Sequence, residues 1–377
     1  MNIPQLFKIG VLAILHLNLV GAQEGEEEKL WSFYGVDGKH QQATVDQIGN
    51  NGVTLGPKSD EKQRFVQLEK FDKKTQLLIH VLRTARAKDV SNLDRPFYPI
   101  SLMEMACGIE AINCRAEKQA REFSRDQINA LARINSYRYL VGIPQEMTLD
   151  KTWCDIALTA AKHCSDRNVL SHRLSGATAK CSLYYSSRRL SLIDFVNGWM
   201  TDPGRNNEMM RGHRQICLDL RLSKFGIGQR GSYAAMYGIP LNSTHLGKGP
   251  QLESSFAAYP SAGFFPTSMI EDGAGWSVIF DREQHRPGGK ILNTPQRSDV
   301  SIKVYDVKNR DVSFLTNGTV PTNLKPLMVT KTYVTSGSKN GIGPCINFVP
   351  SAKISPGNRY VVMIQGALEA RYVVELF

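Results

Sequence analysis

Between His172 and His213 the chain holds three acids, Asp194, Asp202 and Glu208, and one thiol, Cys181. Imidazole nitrogens combined with carboxylates can hold zinc or a similar divalent ion. A thiolate placed near two imidazoles can act as a ligand or a nucleophile. Each residue also has a plainer reading. Asp194 closes the pattern Ser191-x-x-Asp194, which marks a helix start stabilised by the local dipole. His213, beside Arg211 and Arg214, can order its loop by hydrogen bonding, and a cysteine such as Cys181 is ordinarily buried or bridged. Other enzyme signatures are missing from the chain: it has no Gly-x-Ser-x-Gly elbow, no His-Glu-x-x-His, no Gly-x-x-x-x-Gly-Lys-Ser/Thr and no Cys-x-x-Cys.

Three helices and a strand pair must position these groups. Ser124-x-x-Gln127 is a capping-box signature, followed by Ile128, Leu131, Ile134 and Tyr137 before the stop Gly142-Ile143-Pro144. Thr148 or Asp150 can open a second helix in which Trp153, Ile156, Ala157, Ala160, Ala161 and Cys164 recur at three- and four-residue spacing. Ser191 opens a third, with Ile193, Val196 and Met200 on one side. The stretch from Phe195 to Gly238 then runs through Trp199, the Pro203-Gly204 turn, Gly212-His213-Arg214 and the Gly-rich, strand-like KFGIG and YAAMYG.

As an ordered set, INSYRYLVGIPQEMTLD, ALTAAKHC, SHRL, the Trp-ended helix, GHR and the closing hairpin resemble the CAP superfamily (cysteine-rich secretory, antigen-five and pathogenesis-related proteins; the SCP domain) over roughly Ser124 to Pro240. The resemblance implies an α-β-α sandwich and a cleft in which His172 and His213 are the two metal-capable histidines. It also implies two acidic partners. The usual Glu-Asn after the first histidine is replaced here by Cys181-Ser182-Leu183, and the second acid falls to Asp202 or Glu208. The cofactor expectation is therefore limited to a divalent ion, zinc or magnesium, on His172 and His213.

Ahead of this segment, Leu30 to Asp72 alternates short strand candidates (Leu30 to Tyr34, Gln42 to Gln47, Gly52 to Leu55, Arg64 to Leu68) around an Asn50-Asn51-Gly52 turn. The order Trp, Gly-Lys, Asn-Gly-Val-Thr-Leu, Val-x-Leu-x-x-Phe-Asp resembles the Sla-type homology domain (SHD), a small SH3-like β-barrel, which implies a protein or peptide contact. Lys73 to Arg125 reads as a connector with helices at Lys74 to Ala87 and Ile109 to Phe123. Beyond Leu252, seven strand candidates separated by turn clusters argue for an immunoglobulin-like β-sandwich: Trp276 to Phe280, Val300 to Asp306, Val312 to Leu315, Leu327 to Val334, Ile346 to Val349, Arg359 to Gly366 and Ala370 to Phe377. Tyr259 to Gly263 and Gly275 to Val278 resemble the segment following the CAP domain in a group of bacterial exported proteins. The fold expectation is thus multi-domain: signal 1–22, SH3-like unit 29–75, helical connector 76–123, CAP domain 124–248 and β-sandwich 252–377.

Lys8, the apolar run Ile9 to Val20 and the small residues Val20-Gly21-Ala22 read as a cleavable export signal, too short for a membrane span of ~20 residues. The expected location is secreted or periplasmic, with no transmembrane segment after signal removal. The 42% hydrophobic and 21% charged balance is globular, and the net charge of +11 is spread along the chain rather than gathered into a nucleic-acid-binding block. Anionic envelope polymer or lipid is the natural counter-surface for such a basic exported protein. Triplets at Asn242 and Asn317 fit N-glycosylation only in a source that glycosylates. In an oxidising compartment Cys107, Cys114, Cys154, Cys164, Cys181 and Cys217 are disulfide candidates, and with Cys345 the odd total leaves one thiol over. Cys154 and Cys164 share a helix ~15 Å apart, beyond the ~7 Å Cα reach of a bridge. These features point first to a non-catalytic binding or adhesion protein, with a metal-assisted hydrolase and a lipid or sterol carrier as alternatives.

Overall fold

The computed structural model describes residues 29–56, 63–87, 98–188, 190–204, 207–238, 252, 256–271, 273–280, 296–308, 312, 314–317, 320–335 and 344–377. The expected signal, the acidic leader Glu24 to Glu28, the Asn242 triplet and Gly318-Thr319 of the second triplet lie outside the described residues.

The chain begins with an antiparallel meander of β1 (Trp31–Tyr34), β2 (His40–Ile48), β3 (Gly52–Gly56) and β4 (Arg64–Gln67). The expected Asn50-Asn51-Gly52 turn joins β2 to β3, closed by the Gly49 N–H donating to the Gly52 carbonyl at 2.9 Å. The sheet buries Phe33, Ala43, Val45, Val53 and Leu55. Helix α1 (Lys73–Ala87) packs beside it, and α2 (Leu102–Glu117) packs on α1. Leu77, Ile79, His80 and Leu82 form only a mixed apolar face along the α1 sequence. The structure buries Leu77, Leu78, Ile79, Val81 and Leu82, because the helix is covered by the sheet on one side and α2 on another. Helix α2 starts earlier than the expected Ile109, at a reciprocal cap: the Ser101 hydroxyl accepts from Glu104 N–H and the Glu104 carboxylate accepts from Ser101 N–H.

The central unit comprises α3 (Arg125–Leu140), β5 (Thr148–Leu149), α4 (Lys151–Arg167), α5 (Gly176–Lys180), β6 (Ser182–Tyr185), α6 (Leu192–Thr201), α7 (Asn207–Met210), α8 (Gly212–Cys217), β7 (Lys224–Arg230) and β8 (Tyr233–Tyr237). Its sheet runs β5-β7-β8-β6, with β5 parallel to β7 and the other pairs antiparallel. Period-two alternation divides the faces. Tyr233, Ala235 and Tyr237 join Ala157, Ala160, Ala161 and Cys164 of α4 in one apolar cluster. Ala234 and Met236, with Phe225 and Ile227, face the other way and join Phe195, Val196 and Trp199 of α6. The result is the expected helix-sheet-helix layering.

Glycine sets how closely α4 can lie on the sheet. A Cβ on Gly226 would fall 2.0 Å from the Trp153 carbonyl carbon, and one on Gly228 would fall 2.5 Å from Leu158 N. Both obstacles are helix backbone, which cannot rotate aside. The small Ala face of α4 and the two glycines are therefore one packing device.

The last unit has two four-stranded sheets, β13-β14-β11-β9 and β10-β16-β15-β12. Its elements are β9 (Phe256–Tyr259), β10 (Gly263–Phe265), β11 (Trp276–Phe280), β12 (Val300–Asp306), α9 (Phe314–Asn317), β13 (Val329–Thr335), β14 (Cys345–Pro350), β15 (Arg359–Gly366) and β16 (Ala370–Leu376). The sheets face each other through Trp276 against Tyr360, ring centroids 5.7 Å apart, and Phe256 against Tyr372 at 5.5 Å. Six of the seven expected strands form. The seventh, Val312 to Leu315, does not: the Leu315 N–H donates to the Val312 carbonyl at 2.9 Å and the chain turns into α9. Strands β9 and β10 were not expected, since each is short and they flank the Pro260 turn.

All seven cysteines are free. Cys107 and Cys114 both lie on α2, seven residues or ~10 Å apart, too far to bridge each other. The expected disulfides among Cys107, Cys114, Cys154, Cys164, Cys181 and Cys217 are thus not formed in this structure. Among the described residues no helix is long and apolar enough to cross a membrane.

Gly226→Ala tests the packing device. Overpacking against a fixed backbone costs roughly 1–3 kcal/mol or more, so the variant is expected to unfold at a clearly lower urea midpoint. Gly142→Ala, whose Cβ meets nothing within 4 Å, carries only the strain of its left-handed φ of +83° and serves as the comparison.

Candidate functional site

The cleft is built at the end of α6. Asp202 caps that helix in a left-handed conformation, φ 50°, with its N–H donating to the Gly198 carbonyl at 2.7 Å. An L-residue adopts this conformation at some cost. Here it turns the carboxylate toward the start of α8. One oxygen accepts from the His213 backbone N–H at 2.9 Å, and the other lies 2.8 Å from His213 Nδ1. The Asp202 side chain is 1% exposed and that of His213 20%. A single buried carboxylate therefore fixes both the backbone and the ring of this histidine.

His172 is held differently. It lies in the turn between α4 and α5, where Ser175 and Thr178 form a reciprocal cap. The Thr178 hydroxyl donates to the His172 carbonyl at 3.3 Å, and the His172 Nδ1 lies 3.0 Å from the Thr178 carbonyl oxygen. A carbonyl can only accept, so Nδ1 carries the proton and Nε2 presents a lone pair. A carboxylate partner imposes the same tautomer on neutral His213.

His172 and His213 line one cleft of about 260 Å³ with Cys181, Met210, Ile216 and Met236. The structure places the two histidines of the sequence reading in one cleft. That reading paired Asp202 with them too, although as a metal ligand or base, whereas its carboxylate is spent on His213. Glu208 is not in the cleft. It lies on α7 and pairs with Lys331 of β13, a hydrogen bond that lowers its pKa. Asp194 accepts from the Ser191 N–H at 3.0 Å and hydroxyl at 2.7 Å, the helix-start role expected of it.

Cys181 is 4% exposed, and burial pushes its thiol pKa up to about 12. Burial thus disfavours the thiolate form. Burial and the raised pKa fit the plainer reading of Cys181 as a core thiol. Among the described residues no group of three or more His, Cys, Asp and Glu could hold a metal ion. Two Nε2 lone pairs with anchored Nδ1 atoms supply half of a donor set, and neither Asp202 nor Glu208 completes it. Among the described residues the donor set for a resident divalent ion is incomplete.

Residues 131–237 match the family model described as CAP: Cysteine-rich secretory protein family. That segment is a CAP domain. No curated protein matches the chain. The match spans α3 to β8, so the CAP domain contains both cleft histidines and both packing glycines.

The CAP domain's other notable side chains are structural. Asn135 clamps Met147, its amide donating to the Met147 carbonyl at 2.9 Å and its oxygen accepting the Met147 N–H at 2.8 Å. Arg138 donates to the carbonyls of Gln145, Cys217, Asp219 and Leu222 at 2.8–3.1 Å. Sequence reasoning missed Thr178, whose contribution to the cleft is a backbone carbonyl. The Ser175-x-x-Thr178 spacing was the only available signal.

Thiol counting checks the cysteine chemistry. Without reductant, seven thiols are expected in denaturant. In the native protein at pH 8, the partly exposed Cys107 and Cys114 are expected to react first, with Cys181, Cys217 and Cys345, all pushed up to about 12 by burial, at least a hundredfold slower.

Proposed function

We propose that this chain is an exported, multi-domain binding protein whose CAP cleft recognises a ligand without transforming it. The observation that carries this reading is the placement of Asp202: it is buried behind His213, both of its oxygens contact that residue, and it does not line the cleft, so no carboxylate faces a ligand there. The cleft then offers two imidazole edges within a partly apolar wall of Met210, Ile216 and Met236. That is a recognition surface for a polar group flanked by apolar surface. Met209 and Met210, 41% and 47% exposed, add adaptable apolar area at α7.

In this reading the units are an SH3-like Sla-type domain at 29–75, a helical connector at 76–123, the CAP domain at 124–248 and an immunoglobulin-like sandwich at 252–377. The four-stranded meander and the paired sheets support the two flanking assignments. Their partners are protein or peptide for the first unit and envelope polymer or anionic lipid for the basic surface. Removal of the signal at residues 1–22 places the protein outside the cytoplasm, in a bacterial source.

The second reading, a metal-assisted hydrolase, draws on the anchored Nδ1 atoms of His172 and His213, an arrangement that leaves Nε2 free for an ion. Zinc and magnesium titrations of the full chain separate the two. The binding reading expects no one-to-one uptake at micromolar metal and an unchanged trace in His172→Ala and His213→Ala. Stoichiometric zinc uptake lost in both variants would overturn it. Retention of a defined peptide library or of anionic vesicles on the immobilised chain, reduced in His213→Ala, supports the proposal.

A further inference from the structure

A second cavity, of about 360 Å³, opens where the small sheet, α1, α3, α6 and the turn after β10 meet. It shares no residue with the histidine cleft. Helix α1 contributes Lys73 and Arg83, α3 contributes Arg133, and α6 contributes Asn197. Among the described residues, none of these three cations has a carboxylate within salt-bridge distance. Asp194 also lines the cavity, but its carboxylate is turned to the Ser191 N–H and hydroxyl.

Arg133 is the telling member. It is 8% exposed, and its Nε donates to Asn197 Oδ1 at 2.7 Å while Nη2 donates to the Ser268 carbonyl at 2.9 Å. Its Nη1 has no hydrogen-bond partner among the described residues. That Nη1 is not sealed from solvent, so a ligand's acceptor can reach it from the cavity. Arg83 is oriented too: Nη2 lies 3.1 Å from His80 Nδ1, and Nη1 lies 3.4 Å from Asn50 Oδ1. His80 itself adds no charge at neutral pH, because burial, and then the neighbouring Arg83, lower its pKa. The rest of the wall is apolar, with Leu68, Leu77, Ile79 and Ile193.

We propose that this cavity binds a small amphiphilic oxyanion, a carboxylate or phosphate ester with a short apolar body. The oxyanion accepts from Arg133 Nη1 with Arg83 and Lys73 around it, and the apolar body lies on the leucine and isoleucine wall. Guanidinium groups favour oxyanions because their planar donors match the acceptor geometry. The volume falls at the lower end of the range for small-molecule sites. Since the walls come from separate parts of the chain, the ligand also ties these parts together, and binding raises the thermal midpoint.

Calorimetric titration of the full chain with hexyl phosphate, hexanoate and inorganic phosphate at low salt tests this. The expected result is saturable one-to-one binding of hexyl phosphate or hexanoate, tighter than inorganic phosphate. Affinity is expected to fall about tenfold in Arg83→Gln and in Arg133→Gln, the loss of one charged hydrogen bond. Lys39→Gln, which removes a charge from the turn ahead of β2, should leave it unchanged. If Arg133→Gln fails to fold, Arg83→Gln and Lys73→Gln, both on the accessible side of α1, decide the matter. Absence of saturable binding, equal weakening in Lys39→Gln, or phosphate binding as tightly as hexyl phosphate would each overturn the assignment.

Discussion

One buried guanidinium joins the CAP domain to the sandwich that follows it. Arg214 of α8 has no exposed surface, and burial pulls its pKa down to about 10, so it remains cationic at neutral pH. Its Nε donates to the Met200 carbonyl near the end of α6 at 2.5 Å, and Nη1 donates to the Gly275 carbonyl and the Ser277 hydroxyl, each at 2.6 Å. Its face lies 4.3 Å from the Tyr259 ring centroid. Ser277 in turn donates to Asn347 Oδ1, and the Asn347 amide returns to the Met210 carbonyl at 2.8 Å. Helices α6, α7 and α8 are thereby linked to β11 and β14 through one desolvated charge. Such a network favours this docking geometry, since separating the two parts would strip the Met200 and Gly275 carbonyls and the Ser277 hydroxyl of their shared donor.

This constraint explains the histidine cleft. His213 immediately precedes Arg214, so the position of its backbone is set by what Arg214 must reach. Asp202 lies two residues beyond Met200, the acceptor of Arg214 Nε, and completes the same corner by holding His213. Arg211 belongs to it as well, donating to the Thr201 carbonyl. The Arg-Gly-His-Arg sequence is thus mainly an instruction for closing the α6–α8 corner against the sandwich. The cleft is the outer surface of that corner, and the acid that chemistry would require has been taken up by the architecture.

Local signals were legible in the sequence, and long-range ones were not. The capping residues Ser124, Asp150 and Ser191 mark true helix starts because their bonds reach only three residues ahead. The alternation in the closing hairpin was equally readable, since strand faces follow from period two. By contrast, the Asn135 to Met147 clamp and the four carbonyls on Arg138 depend on loops whose sequences carry no periodic signal. The burial of α1 on several sides escaped notice because its partners lie in α2 and the small sheet. Val312 to Leu315 misled for a related reason: apolar content suggests a strand, but a strand also needs a ladder neighbour. At the site, the two histidines were found through an ordered set of motifs. The fate of Asp202 could not be, because a carboxylate between two roles looks the same in sequence whichever role it takes.

The buried arginines differ in how fully they are used, and the difference separates structure from recognition. Arg138 spends its donors on four carbonyls of its own domain. Arg214 spends its donors across a domain junction, and its remaining Nη2 is sealed from solvent. Arg133 makes only two bonds and lines an open cavity, with Lys73 and Arg83 nearby and no carboxylate paired to any of them. A guanidinium used in packing can keep an unpaired donor, as Arg214 does, but that donor is sealed inside the fold, whereas the spare donor of Arg133 is open to a cavity. One that retains a donor toward a cavity keeps a binding capacity that its own fold does not consume. In this molecule, therefore, a spare guanidinium donor lies at the junction of the small sheet, α1 and the CAP domain, while beside the histidine cleft the Asp202 carboxylate is committed to His213.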